Sequence, residues 1–430
     1  MAISGWFVAL VAVGIVPIVL SGEPAAAAVW LALAIVLGAV DILLAGSPRA
    51  VTLTRDVPSR VRLGESVTST LTITNRGVRR IRGIVRDGWQ PSAGAASTRS
   101  AVSIPAGERR IVTTILTPFR RGERRAVHVT IRSFGPLRLA ARQATIAESS
   151  VLRVLPPFNS RKHLPSRIAR LRELDGATSV QVRGQGTEFD SLREYVRGDD
   201  VRSIDWRATA RRDDLMVRTW RPERDRRVVV VIDSARTSAA RIADEPRIDT
   251  AFESALLLAA LASTAGDRVD TVIYDRRIRG RVQGVNGPEL LNRMVTTMAP
   301  VNPELIEMDW SAVPALVNSV TSQRALVVLM TSIDAPGASR GLLSVLPQLT
   351  RKHLVVVSSV SDPAIVEAVA DRSDRSSIYR AAAAERSLLD TARVTEAVVR
   401  LGADVVTAPP ADLPPAVADR YIALKRAGRL

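Results

Sequence analysis

Histidine and cysteine carry much of the nucleophilic, acid–base and metal chemistry of proteins, and both are scarce in this chain. Its 430 residues contain no cysteine and three histidines. Without cysteine there is no thiolate nucleophile, no disulfide framework and no Cys-ligated zinc site. His128 and His353 fall in strand-like patterns and His163 in a linker, so we expect structural roles for all three. The sequence also lacks a Gly-x-Ser-x-Gly elbow, a His-Glu-x-x-His pair and a Walker motif.

Carboxylates are the remaining candidates for acid–base chemistry. The adjacent pairs Asp199-Asp200 and Asp213-Asp214 are embedded among arginines. A neighbouring guanidinium lowers the pKa of a carboxyl group, whereas a general acid needs a raised pKa. A further carboxylate, Asp233, ends the apolar run 228–232, which is typical of a buried parallel strand with a site at its carboxyl end. On balance the residues predict a protein that is not an enzyme.

The most charge-dense stretch, 184–227, contains 11 arginines and 10 acidic residues. Its Gly184-x-Gly186 lacks the Lys-Ser/Thr of a phosphate-binding loop. Arginine–carboxylate pairs fix geometry more than they add stability. We therefore interpret this stretch as a polar network that locks an extended segment onto the following domain, with Trp206 and Trp220 as apolar anchors. The alternative is a partner-docking surface made by the same residues.

This stretch closely resembles the signature of the family called domain of unknown function 58. The family pattern is Gly-x-Gly-x-x-Phe, Arg-x-Tyr, Gly-Asp-Asp, Arg and Ile-Asp-Trp, followed by an arginine-rich stretch that ends in Val-Arg. The matching residues, which we predict to be structural or partner-binding, are Gly184, Gly186, Phe189, Arg193, Tyr195, Gly198, Asp199, Asp200, Arg202, Ile204, Asp205, Trp206, Arg207, Arg211, Val217 and Arg218. The resemblance implies a partner of the MoxR type, an AAA+ ATPase.

Strand and helix patterns alternate over 228–430, which predicts a doubly wound α/β sheet. Their order resembles a von Willebrand factor A-like domain. In that fold a metal site uses Asp-x-Ser-x-Ser after the first strand, a threonine from a second loop and an aspartate after the fourth strand. These hydroxyls and carboxylates are hard oxygen ligands that suit Mg²⁺.

The match to that metal site is poor. Asp233 and Thr237 are retained, but Ala235 replaces the central serine and Arg236 places a cation beside the site. The fourth strand ends in Thr331-Ser332, where the resemblance implies Thr-Asp. We therefore expect no cofactor, and an Asp233 that caps the neighbouring helix or pairs with an arginine. Bound Mg²⁺ is the less favoured alternative.

The N-terminus contains two apolar runs. Residues 3–20 form an uncharged run of 18 residues, and residues 25–45 a run of 21 with one acid, Asp41. As helices they would be about 27 and about 32 Å long, which matches a hydrocarbon core of about 30 Å. No Lys or Arg precedes Arg49, which argues against a signal peptide. The runs and their four-residue turn predict a transmembrane hairpin over 1–48.

The charges that flank the hairpin predict its orientation. Glu23 lies in the turn, whereas Arg49, Arg55, Arg60 and Arg62 follow the second run. Basic residues favour the cytoplasmic side. We therefore expect a multi-pass cell-membrane protein whose termini and soluble domains are cytoplasmic.

From 49 to 157 the pattern has period two, with β-branched runs such as 67–74 and 110–116 between turn signals. Six to eight short strands predict an all-β, immunoglobulin-like sandwich. Between Arg49 and Arg153 there are 20 arginines and 6 acids, so this module carries +14 of the chain's net +17. The charge indicates either contact with anionic lipid or a solvated sheet face in an arginine-rich proteome. Nucleic-acid binding is not expected, since no recognition motif accompanies the charge.

The complete prediction is a multidomain chain: a transmembrane hairpin (1–48), a basic β-sandwich (49–157), a charged signature segment (158–227) and an α/β domain (228–430). Our leading hypothesis is a membrane-tethered adaptor that works with a MoxR-type AAA+ ATPase in assembly or maturation at the cell envelope. One alternative is an outward-facing structural envelope protein that binds anionic polymer. A second is a cryptic metal-dependent hydrolase that uses Asp233.

Overall fold

The structure is a computed structural model that describes residues 2–179, 188–196, 201–212, 214–221, 226–334 and 336–430. It divides into two compact units, Met1–Pro157 and Phe158–Leu430. The apolar N-terminal helices belong to the same unit as the first β-sheets, and the charged signature segment belongs to the α/β unit.

Three apolar helices open the first unit: α1 (Gly5–Val13), α2 (Ile15–Ser21) and α3 (Pro24–Leu44). The first apolar run was expected to be one helix, but it is interrupted at Gly14, because Pro17 has no N–H to donate to the carbonyl of Val13. Trp30 of α3 donates its indole N–H to the carbonyl of Leu10 at 3.1 Å. Gly14 permits this contact, since a Cβ there would lie 2.1 Å from Trp30 Cδ1.

The helices α1 and α2 run antiparallel to α3. Gly14 lies beside Trp30, near the start of α3, and Phe7 lies beside Gly38, near its end. Helix α3 has 21 residues and a mean hydropathy of 2.5, so by length and composition it could cross a membrane. The range Gly5–Ser21 is a shorter apolar stretch.

The β-rich part of this unit consists of two sheets. One has the order β1-β9-β8-β5-β6, with β3 added to β9, and the other has the order β2-β4-β7. The strands are β1 (Ala2–Ile3), β2 (Val51–Asp56), β3 (Arg60–Arg62), β4 (Val67–Asn75), β5 (Ile81–Trp89), β6 (Arg99–Ile104), β7 (Arg109–Leu116), β8 (Gly122–Phe134) and β9 (Ala140–Leu155). Leu71 and Ile73 of β4 share one apolar core with Ile81 of β5 and Ile131 of β8, so the two sheets pack on a common interior.

A fully buried ion pair lies in this interior. Arg55 donates to Asp87 at 2.6 Å, and the two side chains are 0% and 4% exposed. Arg55 also donates to the carbonyl of Glu148 at 2.7 Å and lies over the ring of Trp89. In the sequence, Arg55 was counted among the basic residues that follow the second apolar run. In the folded protein the charge of Arg55 is paired with Asp87 inside the β unit.

The end of α3 is joined to the β8–β9 turn. Asp41 is fully buried, and its two carboxylate oxygens accept the backbone N–H groups of Leu137 at 2.7 Å and Ala140 at 2.9 Å. Strand β1 pairs with the start of β9 next to this turn. Asp41, the one acid of the second apolar run, therefore binds the β8–β9 turn.

The α/β unit contains a six-stranded sheet of order β16-β15-β12-β17-β18-β19, parallel except for the edge strand β16. Its strands are β12 (Arg227–Asp233), β15 (Arg268–Tyr274), β16 (Ile278–Val282), β17 (Leu326–Met330), β18 (Leu354–Val360) and β19 (Asp404–Ala408). Two small antiparallel pairs lie outside this sheet. They are β10 (Glu188–Glu194) with β11 (Met216–Arg221), which precede β12 in the chain, and β13 (Arg241–Ile242) with β14 (Glu245–Pro246), which lie between β12 and β15.

The α/β unit contains nine α-helices in its described residues. They are α4 (Leu164–Ser179), α5 (Trp206–Arg212), α6 (Arg247–Thr264), α7 (Pro288–Met298), α8 (Val313–Val320), α9 (Pro336–Thr350), α10 (Pro363–Ala370), α11 (Arg375–Arg400) and α12 (Leu413–Arg426). Helix α6 packs against α7 and α12, and α9 packs against α8 and α11. Val229 and Val231 of β12 join the core formed with α8, α9 and α11, whereas the alternate residues Val228 and Val230 are buried outside that core. Both faces of the central strand are therefore covered, as an apolar parallel strand requires.

Candidate functional site

Asp233 lies at the carboxyl end of the central strand β12 and is 2% exposed. Its Oδ1 accepts the backbone N–H of Ala235 at 2.7 Å. Its Oδ2 accepts the hydroxyls of Thr331 at 2.7 Å and Thr237 at 3.3 Å. Burial raises the pKa of Asp233, and the nearby Asp275 adds to this, although the three donors oppose the shift.

The resemblance placed Thr331 at the end of the fourth strand, but the sequence did not predict its hydrogen bond to Asp233. Thr331 follows β17, which is the parallel neighbour of β12. The ends of adjacent parallel strands meet at one edge of a sheet. Strand adjacency was therefore the signal that could have placed this hydroxyl beside Asp233.

A second buried carboxylate, Asp275, follows the neighbouring strand β15. It accepts the Ser234 hydroxyl at 3.2 Å, the backbone N–H groups of Arg276 at 2.6 Å and Arg277 at 3.1 Å, and the guanidinium of Arg279 at 2.5 Å. Burial alone would raise the pKa of Asp275, but the hydrogen bond from Arg279 and the backbone N–H groups outweigh it and lower the pKa. Asp275 is therefore an ionised anchor for the loop that follows β15.

A cleft of about 290 Å³ opens above Asp233, and Arg236, Glu307 and Trp310 lie in its wall. Arg236 forms an ion pair with Glu307 in this wall. On the side of α9, Gly341 lies so close that a Cβ there would be 2.6 Å from Trp310 Cδ1. The cleft therefore has a polar floor at Asp233, and the close contact of Gly341 with Trp310 bounds it on the side of α9.

The residues around Asp233 do not fit a Mg²⁺ site. Asp233 and the side chains that contact it supply one carboxylate and two hydroxyls, while Glu307 and Ser332 of the cleft wall are bonded to Arg236 and Arg247. Asp334, the next acid after β17, forms an ion pair with Arg247. In the described residues no group of three or more His, Cys, Asp or Glu side chains could hold a metal ion. Asp233 was expected to cap the neighbouring helix or pair with an arginine; instead it accepts hydrogen bonds from Ala235, Thr237 and Thr331, and the 3₁₀ turn Arg236–Ala239 has no side-chain cap.

The signature segment forms a ribbon in which β10 pairs antiparallel with β11. Asp205 caps α5, since its Oδ1 accepts the N–H groups of Arg207 at 3.0 Å and Ala208 at 3.1 Å. Its Oδ2 accepts Arg218 Nε at 2.8 Å. The N–H of Tyr195 donates to the carbonyl of Leu215 at 2.7 Å. Of the predicted arginine–carboxylate network, the described residues show the pair of Asp205 and Arg218.

Trp206 does not act as an apolar anchor. Its side chain is 65% exposed at the first residue of α5, so that prediction is wrong. Trp206 is the residue directly after the cap Asp205, which accepts the N–H groups of Arg207 and Ala208. Arg202, Arg207 and Arg211 are exposed as well.

Several predicted residues are not placed by the structure. Gly184, Gly186, Gly198, Asp199 and Asp200 lie outside the described residues, as do the side chains of Phe189 and Trp220. The side chain of Arg193 donates to the carbonyl of Glu194 at 3.0 Å.

Fold and site together define a multidomain chain with an apolar N-terminal helix, a β-rich unit and an α/β unit with a buried carboxylate at its sheet edge. The family model described as protein of unknown function DUF58 matches residues 191–369, from within β10 to within α10. The match contains Asp205, Trp206 and Arg218 of the ribbon as well as Asp233 and Thr331.

Among curated proteins, the chain is similar to uncharacterized proteins of Mycobacterium tuberculosis and Mycobacterium bovis. The identity is 26% over 188 residues, which is 43% of this chain and 58% of each relative. The chain thus spans little more than half the length of those relatives. A CARDB domain of Pyrococcus furiosus, solved in complex with di-metal ions, covers 24% of this chain and 86% of its own, at 17% identity and a TM-score of 0.18. That score is too low to support an argument.

Proposed function

We propose that the protein is a membrane-tethered, non-enzymatic adaptor whose partner docks on the signature ribbon. The observation that carries this proposal is the exposed Trp206, held on a helix whose start is fixed by Asp205. Tryptophan and arginine are enriched among the residues that dominate binding energy at protein interfaces. A rigid, exposed tryptophan beside exposed arginines is therefore a suitable docking element.

Further apolar side chains support a docking role. Val196, Val201 and Leu215 are 62%, 61% and 44% exposed. With Trp206 they form what we call the docking segment: Val196, Val201, Trp206 and Leu215 together with Arg202, Arg207 and Arg211. Apolar side chains among charges of both signs favour a partner surface that has an apolar pocket and a rim of complementary charges of both signs.

The resemblance to the family called domain of unknown function 58 favours a MoxR-type AAA+ ATPase as this partner. The adaptor would then act in assembly or maturation at the cell envelope. The sheet order of the α/β unit, with its single antiparallel edge strand, supports a von Willebrand factor A-like domain. The two facing sheets of the first unit support an immunoglobulin-like sandwich.

The membrane tether is a hairpin in which α3 forms one span and α1 with α2 the other. The length and hydropathy of α3 and the antiparallel packing of the helices support it. The arginine-rich β unit follows the hairpin, which favours a cytoplasmic location for both units. An outward-facing, polymer-binding protein is the rival, and protease treatment of intact spheroplasts separates the two. Digestion of the β unit from outside would contradict the cytoplasmic orientation.

A non-enzymatic role is supported by the state of Asp233. Both of its oxygens accept hydrogen bonds from protein donors that join β12 to the end of β17 and to the turn after β12, which favours a structural role for this carboxylate. The cryptic hydrolase remains the alternative with a clear test, because its activity would be lost in Asp233→Asn.

The docking segment can be tested with the full-length protein purified from membranes in mild detergent. Captured proteins are identified by mass spectrometry for the wild type, Trp206→Ala and Tyr379→Ala. Tyr379 is the matched control, since it is an aromatic side chain on α11 with 67% exposure. We expect an AAA+ ATPase with the wild type and the control, and roughly 30-fold weaker binding for Trp206→Ala. Equal capture by all three would contradict the docking segment, and no AAA+ ATPase with the wild type would contradict the partner.

A further inference from the structure

Two turns of the β unit meet the end of α3. The β8–β9 turn is held by Asp41 through the N–H groups of Leu137 and Ala140. The β4–β5 turn is held from the other side, because the guanidinium of Arg79 donates to the carbonyl of Leu43. The backbone is also close there, since a Cβ on Gly46 would lie 2.5 Å from the carbonyl oxygen of Arg80. Both turns are thus fixed beside the point where the apolar helix ends.

The tips of these turns combine apolar and cationic side chains. Val78 is 93% exposed and Leu137 is 53% exposed. The exposed arginines of the two turns are Arg76, Arg79, Arg80 and Arg138. Neither the stretch 75–81 nor the stretch 134–140 contains an acidic residue. We call these six side chains the collar: Arg76, Val78, Arg79, Arg80, Leu137 and Arg138.

Arg138 adopts a backbone conformation that suits glycine better. Its φ is 56°, in the left-handed region. A residue with a Cβ is strained there, whereas glycine is not. The turn therefore keeps an arginine at its tip in spite of the local backbone strain, which is consistent with a use for that side chain.

We propose that the collar rests on the headgroup layer of the bilayer. Val78 and Leu137 enter the boundary between headgroups and acyl chains, and the four arginines contact the phosphates of anionic lipids. Amphipathic protein surfaces bind membranes in this way, by burying apolar side chains and attracting anionic lipid. Anionic lipid is the occupant that the geometry favours, because the collar continues directly from the end of the apolar helix and carries only positive charge.

This inference rests on the membrane tether of the proposed function. Its consequence is that Asp41, the two turns and the lipid surface together fix the β unit at one height and orientation above the membrane. The tether would then act as a positioning device for the β unit, in addition to retaining the chain at the membrane.

Because the chain contains no cysteine, a single introduced cysteine can be labelled specifically to measure how deep its position lies in the membrane. Single cysteines at Val78→Cys, Leu137→Cys and Phe119→Cys are labelled with an environment-sensitive fluorophore in the full-length protein. Phe119 is the matched control, since it is 63% exposed and precedes β8, whereas the collar turn follows the end of β8. The labelled proteins are reconstituted into phosphatidylcholine vesicles with or without phosphatidylglycerol, and quenched by lipids that carry a nitroxide near the headgroup.

We expect several-fold stronger quenching at positions 78 and 137 than at 119, and a decrease when phosphatidylglycerol is omitted. Arg138→Gly in the labelled Leu137→Cys protein should also weaken quenching. Because glycine suits the backbone φ of position 138, the circular dichroism spectrum should be unchanged. If carbonate does not extract the protein from the membrane but quenching at 78 and 137 is no stronger than at 119, the collar is overturned and the tether is retained. If carbonate extracts the protein, the tether is overturned as well. If positions 78 and 137 are protected from labelling in native membranes but not in lipid vesicles, a protein partner covers them and the lipid contact is overturned.

Discussion

Arg218 of β11 donates to Asp205 at 2.8 Å, while the other oxygen of the same carboxylate caps α5. The N–H of Ala208 and the guanidinium of Arg218 are the main causes that lower the pKa of Asp205, so this group is an anion at neutral pH. One charged group therefore joins a strand of the ribbon to the helix that presents Trp206.

The first prediction concerns this joint. Asp205→Ala removes the cap and the ion pair, so the amides of Arg207 and Ala208 should exchange hydrogen markedly faster. Asp205→Asn keeps a good capping side chain and loses only the charge, so its effect should be smaller. Hydrogen-exchange mass spectrometry of the peptide that contains α5 measures both. Equal exchange in the wild type and the alanine variant would show that the cap does not hold the helix.

Thr331 supports the buried carboxylate of Asp233, and Thr331→Val removes its hydroxyl while preserving its shape. We expect a loss of about 1–3 kcal/mol in the free energy of unfolding of the α/β unit, because a buried acceptor loses a donor. Thr331→Ser retains the hydroxyl and is the control. Urea unfolding followed by circular dichroism measures the difference. A valine variant as stable as the serine variant would contradict the role of the hydrogen bond.

The raised pKa of Asp233 predicts a pH dependence of stability. Because burial raises its pKa in the folded state, the native protein binds this proton more tightly than the unfolded chain, whose aspartate pKa is about 3.9. The resulting contribution to stability is fully present below the unfolded pKa and is lost as pH rises through the folded pKa. Asp233→Asn should remove this part of the pH dependence. The urea midpoints of the wild type and the variant should be measured between the unfolded and the folded pKa. If the two plots of midpoint against pH stay parallel, the assignment to Asp233 is refuted.

The buried pair of Arg55 and Asp87 predicts a large stability effect. Asp87→Ala leaves the Arg55 charge inside the β unit without its carboxylate, which should cost about 3–5 kcal/mol. The exposed Asp56, next to Arg55 in β2, supplies the control Asp56→Ala, which should have little effect. Thermal unfolding of the full-length protein in detergent compares the two. Similar midpoints for both variants would show that the buried pair contributes little.

Gly135 allows α3 to approach the β8–β9 turn. A Cβ at this position would lie 2.2 Å from the backbone oxygen of Asp41, so Gly135→Ala should displace the turn. Gly5→Ala is the control, since its Cβ would meet nothing within 4 Å. Arg138 is already exposed, and a displaced turn is less ordered, so trypsin should cleave after this residue faster in Gly135→Ala; the rate of cleavage in detergent measures it. Equal rates in the two variants would contradict the close approach.

The amino-acid sequence by itself determined the elements whose signal is local. The apolar run of α3, the valine-rich strand β12 and the period-two strands of the β unit follow from the repeat of apolar residues along the chain. Interleaved charges likewise predicted an arginine–carboxylate network, and Asp205 and Arg218 form part of it only 13 residues apart.

Only the tertiary structure decided which distant residues meet. Asp41 reaches Leu137 across 96 residues, and Thr331 reaches Asp233 across 98. Such contacts depend on sheet order, strand register and helix packing, none of which leaves a periodic pattern in the sequence. For the same reason the sequence could not tell that Arg55 is buried and Trp206 is exposed, since a side chain's surroundings are set by whatever elements the fold brings beside it.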